Sequence, residues 1–256
     1  MIARTIWVVG ILLGVSIGFA MILQGLGGRI RRTGVGRWRR AYWYFVSPGV
    51  ACHELGHCVG CWLTGARVTR VEFFSPDEDS GTLGYVRHTT SAGVWGARQS
   101  MVIATGPVWF GCLMIALLSK LLLGSSVVVR LEDYVDSAVV PGLVEYVAGC
   151  FRAGCGLFSG VLLDVVDSPV RAILWLYLSF CIASEIGMSA VDLSHTWRGL
   201  VGVVGVVLVL AMIPFVGKWV AAGVCLALPV VFVAHAFMAF GIVLSLALSL
   251  LCRIGR

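Results

Sequence analysis

Charged residues are scarce in this sequence, and their scarcity excludes an ordinary soluble domain. Asp, Glu, Lys and Arg together make up 12% of the 256 residues, whereas hydrophobic residues make up 59%. A soluble domain carries about 25% charged residues. The composition therefore indicates an integral membrane protein.

A disulfide framework is also missing. The sequence has nine cysteines, an odd number, and Cys112, Cys181 and Cys225 lie in apolar runs where a thiol serves as a small hydrophobic side chain. Cys150 and Cys155 could pair only in an oxidising compartment. No repeat period and no low-complexity linker divides the chain, so we predict a single membrane domain over residues 1–256.

Long apolar runs are present instead, and several approach the roughly 20 residues that cross a bilayer. We predict an all-α polytopic membrane protein with about six transmembrane helices. The predicted spans are 4–24, 41–64, 101–123, 171–191, 199–216 and 219–251. The stretch 138–166 could be an interfacial segment, a re-entrant segment or a seventh span. The first run is longer than the core of a typical signal peptide, so we expect a retained span.

Six arginines crowd the predicted first loop, in the stretch "RIRRTGVGRWRR" at 29–40. Arginine-rich short loops favour the cytosolic side and bind anionic lipid headgroups. We therefore expect this loop in the cytosol, in contact with membrane lipids. A nucleic-acid partner is not expected, because the run adjoins apolar spans.

The stretch "CHELGHC" at 52–58 brings ionisable groups into an apolar run. His53 and His57 are four residues apart and share one helix face, so both can bind one metal ion. Glu54 lies about 100° around the axis, close enough to take a proton from a metal-bound water. Ionisable residues inside a membrane are costly and usually functional. We therefore predict a zinc site with Glu54 as the catalytic base.

The helix that carries this motif has recognisable boundaries in the sequence. Ser47 is a suitable N-cap and Pro48 a suitable first helical residue, and Gly65 is a typical C-terminal stop. These signals predict a helix over 48–64. His53 would then lie about one and a half turns from its start, near the arginine-rich end.

A catalytic zinc needs a third protein ligand, and the residues leave more than one candidate. Asp192 is preferred, because it closes the predicted span 171–191 and lies near Ser189 and His195, which could orient the carboxylate. Asp164, Glu185 and Cys61 are the alternatives.

Residues 65–100 contain the strand-forming part of the chain. "RVTRVEFF" and "TLGYVRH" flank the turn-rich stretch "SPDEDSG" at 75–81, which predicts a small β-hairpin after the motif helix. His88 in this hairpin is expected to be solvated. His235, a lone histidine in a span, is expected to hydrogen-bond to a neighbour.

These features together resemble the site-2 protease family of intramembrane zinc metalloproteases. The resemblance rests on "HELGH" at 53–57, the strand-forming insert, Gly106-Pro107 on the next span and an aspartate on a later one. It covers roughly 45–195, within a core of about 41–195 that is followed by the C-terminal spans at 199–251. Many members have Leu-Asp-Gly, whereas the Ser-Ala-Val-Asp at 189–192 is similar to the compact, divergent branch.

The resemblance implies that His53 and His57 are zinc ligands and that Glu54 is catalytic. It also implies that the substrates are membrane-anchored proteins cleaved in or near a membrane-spanning segment. The arginine-rich stretch, rather than the resemblance, leads us to expect the site near the cytosolic face. Two rival functions stay open. A membrane-tethered zincin with a soluble-facing site would need a Glu on a following soluble helix, and a metal transporter would need ionisable residues along several spans. The oligomeric state is left open.

Overall fold

The computed structural model of this protein describes residues 2–33, 37–124 and 142–254. Within these ranges the regular secondary structure is helical apart from one two-stranded sheet. The elements are α1 Ile2–Thr33, α2 Arg37–Thr64, β1 Arg67–Glu72, β2 Tyr85–Thr89, α3 Gly93–Leu118, α4 Leu143–Asp167, α5 Pro169–Glu185, α6 Ala190–Met212 and α7 Pro214–Ile254. A short π-helix, Ser119–Leu123, continues α3.

Three helical segments in the described residues are long and apolar enough to cross a membrane. They are Trp7–Ile30 in α1, Gly93–Leu123 in α3 and its π-helical extension, and Ala227–Ala247 in α7. The chain is thus a mostly helical protein with the features of a membrane protein, and the count of six spans stays a prediction. Helix α5 has only 17 residues, which is at the short limit for a crossing.

Helix α2 begins earlier than the sequence signals indicate, at Arg37 rather than at Pro48. The Ser47 hydroxyl donates to the carbonyl of Tyr44 at 2.8 Å instead of capping a helix start, and Pro48 lies inside the helix. The predicted boundary was therefore wrong. As a result His53 lies about 24 Å along the axis from Arg37, far deeper than one and a half turns.

The predicted C-terminal end of α2 is confirmed. The helix ends at Thr64, and Gly65 follows with φ of +70°, a conformation that favours glycine. The backbone N–H of Ala66 donates to the carbonyl of Cys61 at 2.9 Å, which satisfies one of the last helical carbonyls. This turn directs the chain into the hairpin.

The hairpin is confirmed, and it extends beyond its two strands. Strands β1 and β2 pair antiparallel, with Val71 opposite Val86 and one irregularity between Val68 and Arg70. Past the strands, the backbone N–H of Ser75 donates to the carbonyl of Leu83 at 2.6 Å. The whole segment between α2 and α3 therefore folds as one long, narrow unit.

Glycines bring α2 into backbone contact with its neighbours. A Cβ atom added at Gly56 would lie 2.7 Å from the backbone nitrogen of Pro107, and one added at Gly60 would lie 2.8 Å from the Cα of Ile103. A Cβ atom added at Gly49 would likewise clash with the backbone carbonyl of Cys181 in α5. Side chains at these positions would force the helices apart, so the glycines hold α2 between α3 and α5.

The junction of α5 and α6 differs from the predicted span 171–191. Helix α5 ends at Glu185, and α6 begins at Ala190 after a short turn. Asp192 therefore lies in the first turn of α6 rather than at the end of a membrane span. The reason given for preferring it was wrong, although the structure still brings it to the motif.

The main buried cluster draws on α1, α3, α4, α5 and α7, and His235 lies in its part between α1, α4 and α7. His235 is 1% exposed there, with its Nδ1 2.8 Å from the Tyr146 hydroxyl and its Nε2 2.7 Å from Ser16 Oγ. Because Ser16 donates its own proton to the carbonyl of Leu12, the Nε2 of His235 carries a proton and its Nδ1 accepts one. The predicted hydrogen bonding of His235 is confirmed.

Candidate metal centre

The two histidines of the motif lie side by side on α2 and are each held by a backbone carbonyl. Their ring centroids are 4.9 Å apart. The Nδ1 of His53 lies 2.6 Å from the carbonyl oxygen of Glu185, and the Nδ1 of His57 lies 2.8 Å from that of Ile103. A carbonyl oxygen only accepts hydrogen bonds, so each Nδ1 carries the proton. The lone pair of each neutral ring is then on Nε2, the atom that a metal ion would bind.

Asp192 is brought to these histidines by the start of α6. Its Oδ2 accepts hydrogen bonds from the Ser189 backbone N–H at 3.0 Å and from the Ser189 hydroxyl at 2.6 Å. The Ser189 hydroxyl oxygen in turn accepts from the backbone N–H of Asp192 at 3.1 Å, which completes a capping box. The other carboxylate oxygen, Oδ1, lies 3.7 Å from His57 Nε2. The helix cap thus orients the carboxylate towards the histidines.

His53, His57 and Asp192 form a group that could bind a metal ion. One ligand atom from each lies within 4.8 Å of the other two. Around a zinc ion bound at about 2.0–2.2 Å, neighbouring ligand atoms stand roughly 3.3–3.6 Å apart, so a small inward movement would complete the site. Two imidazoles and one carboxylate also match the donor set of many catalytic zinc sites.

The alternative third ligands fall into two classes. Glu185 and Cys61 lie outside the group of metal-ligating atoms found among the described residues. Glu185 is 8% exposed, and its backbone carbonyl oxygen lies 2.6 Å from His53 Nδ1. Asp164 lies in α4, but its side chain is outside the described residues, so this alternative is not tested.

Glu54 is buried beside the group, at the wall of a large cleft. Its side chain is 6% exposed, and a Cβ atom added at Gly84 of the hairpin would lie 3.0 Å from its Cγ. The cleft has a volume of about 830 Å³ and is bounded by α2, the hairpin and the α5–α6 turn. Glu54 and all three metal-ligating residues line it, so a ligand in the cleft could reach them together.

The sequence-based interpretation missed His88, which lines the same cleft. His88 is half-buried rather than solvated, and its Nδ1 is buried without a hydrogen-bond partner among the described residues. Burial lowers the pKa of His88, and the nearby His57 and His195 lower it further. The strand alternation could have revealed this position, because Val86 and His88 share the face opposite to the exposed Arg87.

His195 lies one turn after Asp192 on α6 and also lines the cleft. It was predicted, together with Ser189, as a residue that could orient the Asp192 carboxylate. The hydrogen bonds recorded for that carboxylate within the described residues come from Ser189. The exposed His195 instead stands at the border of the cleft.

The chain was compared with known proteins at three levels. No protein-family model matches it, and neither a curated protein nor a solved structure matches it.

Proposed function

We propose that this protein is an intramembrane zinc metalloprotease that hydrolyses peptide bonds in or near the membrane-spanning segments of other proteins. The observation that carries the proposal is the convergence of His53, His57 and Asp192 beside the buried Glu54. Both histidines have the tautomer that a metal site requires. The similarity of the motif and insert to the site-2 protease family supports the same reaction.

The chain's own residues account for the steps of peptide hydrolysis. A zinc ion held by the two histidines and Asp192 would supply a Lewis acid and an activated water. Glu54 takes the proton of the attacking water and passes it to the amine of the departing peptide. His88, which lines the same cleft, is proposed as the donor to the carbonyl oxygen as negative charge develops on it.

The cleft favours an extended peptide as the substrate. A helix satisfies its own backbone groups and hides its carbonyls, so a membrane-spanning substrate must unwind before its peptide bond can be attacked. The two-stranded sheet has unpaired backbone groups at its edges, which could pair with the unwound segment by strand addition. We therefore propose membrane-anchored proteins as the substrate class.

The arrangement favours an enzyme over the two rival functions. A transport pathway requires ion-binding polar residues at several depths across the membrane. The described residues contain one group of metal-ligating side chains. A membrane-tethered zincin takes its third ligand from a Glu on the next soluble helix, whereas Asp192 comes from α6, which follows α2 only after the three described helices α3, α4 and α5.

The orientation of the site in the membrane is proposed from the arginines at 29–40. With these arginines on the cytosolic side, the site is proposed to lie near the cytosolic face of the membrane. A single cysteine at position 34 in a cysteine-free background should be labelled by a membrane-impermeant reagent from the cytosolic side. Labelling only from the outer side would reverse the proposed topology.

The proposed reaction is tested by co-expression with a panel of tagged single-span proteins. The wild-type protein should cleave at least one of them and should carry about one zinc per chain after purification. Glu54→Gln should retain the zinc but reduce cleavage by about 10²–10⁴-fold, because it removes the base and leaves the ligands. Glu145→Gln is the matched control, since Glu145 is an exposed glutamate in the first turn of α4. Equal cleavage by wild type and Glu54→Gln would refute the proposal.

A further inference from the structure

The distal part of the hairpin, residues 73–84, is named the strap here. It has its own hydrogen bonds beyond those of the strands, including one from the Asp77 backbone N–H to the carbonyl of Thr82 at 2.8 Å. The Asp77 carboxylate also accepts from the Ser80 hydroxyl at 2.7 Å and from the Asp79 backbone N–H at 3.0 Å. These bonds lie within the strap, so it can move as one body without losing them.

The tip of the strap is held to the start of α2 by ion pairs. Glu78 Oε1 lies 2.6 Å from Arg40 Nε, and Glu78 Oε2 lies 3.2 Å from an Arg39 guanidinium nitrogen. The Arg39 guanidinium also stacks over the Trp43 ring, 5.0 Å from its centroid. The Glu78 and Arg40 side chains are 45% and 64% exposed. Partly exposed ion pairs of this kind are weak and are screened by salt.

The base of the strap packs directly over the proposed catalytic base. Leu83 is 3% exposed and packs in a small cluster with Trp43, Val46 and Val50 of α2. Gly84 comes next and lies against Glu54. The strap thus runs along α2 for about 22 Å, from Arg39 to Glu54. It covers Glu54 on the side of the cleft that the hairpin forms.

Both roots of the hairpin are glycines in a left-handed conformation. Gly65 ends α2 with φ of +70°, and Gly93 begins α3 with φ of +71°. A Cβ atom added at either position would meet no atom within 4 Å. Open space and glycine torsional freedom are the properties of a hinge.

We infer that the strap is a gate over the metal centre, closed in this structure and held shut by Glu78 with Arg39 and Arg40. Opening it separates these ion pairs, withdraws Leu83 from its cluster and exposes Glu54 and the metal-ligating residues. That the entering ligand is an unwound peptide rests on the proposed function. The gate itself rests on the contacts between the strap and α2.

The gate is tested by the rate at which a chelator removes metal from the full-length protein in detergent. Zinc is loaded first, and its release to an excess of chelator is followed over time. Glu78→Gln should speed the release about three- to tenfold, because it removes the ion pairs that hold the strap. Asp79→Asn is the matched control: it removes the same charge one residue away, at a side chain with no recorded ion pair in the described part of the chain.

Three further measurements sharpen this test. Leu83→Ala should also speed the release, because it weakens the base of the strap. Charge reversal, with Glu78→Arg combined with Arg39→Glu and Arg40→Glu, should return the release to within about twofold of the wild-type rate. In the wild-type protein, higher salt should speed the release, whereas Glu78→Gln should respond little to salt. Equal rates for wild type, Glu78→Gln and Leu83→Ala would overturn the gate.

Amide hydrogen exchange separates failure of the gate from failure of the proposed function. In metal-free protein, Glu78→Gln should speed exchange at peptides that cover residues 73–84 and leave those of α7 unchanged. A protein that shows this response but cleaves no substrate would contradict the protease alone. If the protein cleaves substrates but Glu78→Gln changes neither hydrogen exchange nor the rate of metal release, the gate alone is contradicted.

Discussion

Two histidine environments in this protein differ in how their ring nitrogens are used. His235, in the core of α1, α4 and α7, has Tyr146 at one nitrogen and Ser16 at the other. His57 has the Ile103 carbonyl at Nδ1, and its Nε2 lies 3.7 Å from Asp192 Oδ1. Both histidines lie on long helices, yet of the two only His57 faces other metal-ligating atoms.

The difference shows what separates a structural histidine from a ligand. A buried histidine whose two nitrogens both have hydrogen-bond partners is satisfied, and it joins helices together. A histidine oriented by one carbonyl presents its other nitrogen in a defined direction, as metal sites require. Substitutions in the two environments should therefore affect different properties of the protein, zinc binding in one and stability in the other.

Removal of His57 should abolish the metal site. His57→Ala leaves two of the three protein ligands, and we expect zinc binding to weaken by at least about 100-fold. Zinc per chain in purified protein measures this directly. The paired variant is His235→Phe, which should keep about one zinc per chain. Loss of zinc in both variants would show that the two environments are not distinct in function.

Removal of Asp192 should have the next largest effect. Asp192→Ala should lose zinc and activity together, because the carboxylate completes the group. Glu185→Ala should keep most of both, since Glu185 lies outside the group of metal-ligating atoms and the variant keeps the backbone carbonyl that contacts His53. Asp164→Ala should also keep both. If Asp164→Ala alone removes the zinc, the third ligand is Asp164 and the assignment of Asp192 is wrong.

Loss of the Ser189 hydroxyl, which orients the Asp192 carboxylate, should lower zinc affinity moderately. Ser189→Ala removes the 2.6 Å hydrogen bond from the hydroxyl to Oδ2 while leaving all three ligands in place. We expect zinc affinity to fall by about 10-fold, near the lower limit for partners that orient a ligand. A competition titration with a zinc chelator measures this change. Ser194→Ala, on the exposed face of α6, is the control and should bind zinc like the wild type.

Loss of the His235 network should affect stability and leave the metal site intact. His235→Phe removes the imidazole acceptor of the buried Tyr146 hydroxyl and leaves it only the weakly accepting Cys150 thiol, at a cost of about 1–3 kcal/mol in the free energy of unfolding. Tyr146→Phe removes the hydroxyl that His235 Nδ1 contacts. It should lower the free energy of unfolding less, because only that ring nitrogen loses its hydrogen bond. Thermal unfolding in detergent compares them. A His235→Phe variant as stable as the wild type would show that the network contributes little.

Much of the local structure follows from short stretches of sequence. The spacing of His53, Glu54 and His57 is one helical turn, so any helix there brings the three side chains together. Gly65 ended that helix as predicted, because only a residue tolerant of positive φ suits the position. The hairpin was predicted from strand-forming residues on both sides of an acidic turn. Each of these features depends on neighbours a few residues away.

The start of α2 shows where local signals fail. Ser47 and Pro48 are typical of a helix start, yet the helix runs through them from Arg37. Contacts formed elsewhere outweigh the local preference: Phe45 accepts a hydrogen bond from Tyr177 of α5, and Trp43, Val46 and Val50 pack against Leu83 of the strap. Tertiary packing of this kind routinely overrides the propensity of a few residues.

The sequence by itself determined the membrane character, the hairpin and the two histidines with their glutamate, because composition and helical periodicity act over short distances. Only the tertiary structure brings Asp192 to them, through the packing of α5 on α2 and of α6 on α3. It also decided that His88 lines the cleft and that Glu78 pairs with Arg39 and Arg40. These contacts join residues far apart in the chain, and no local pattern specifies which distant residues will meet.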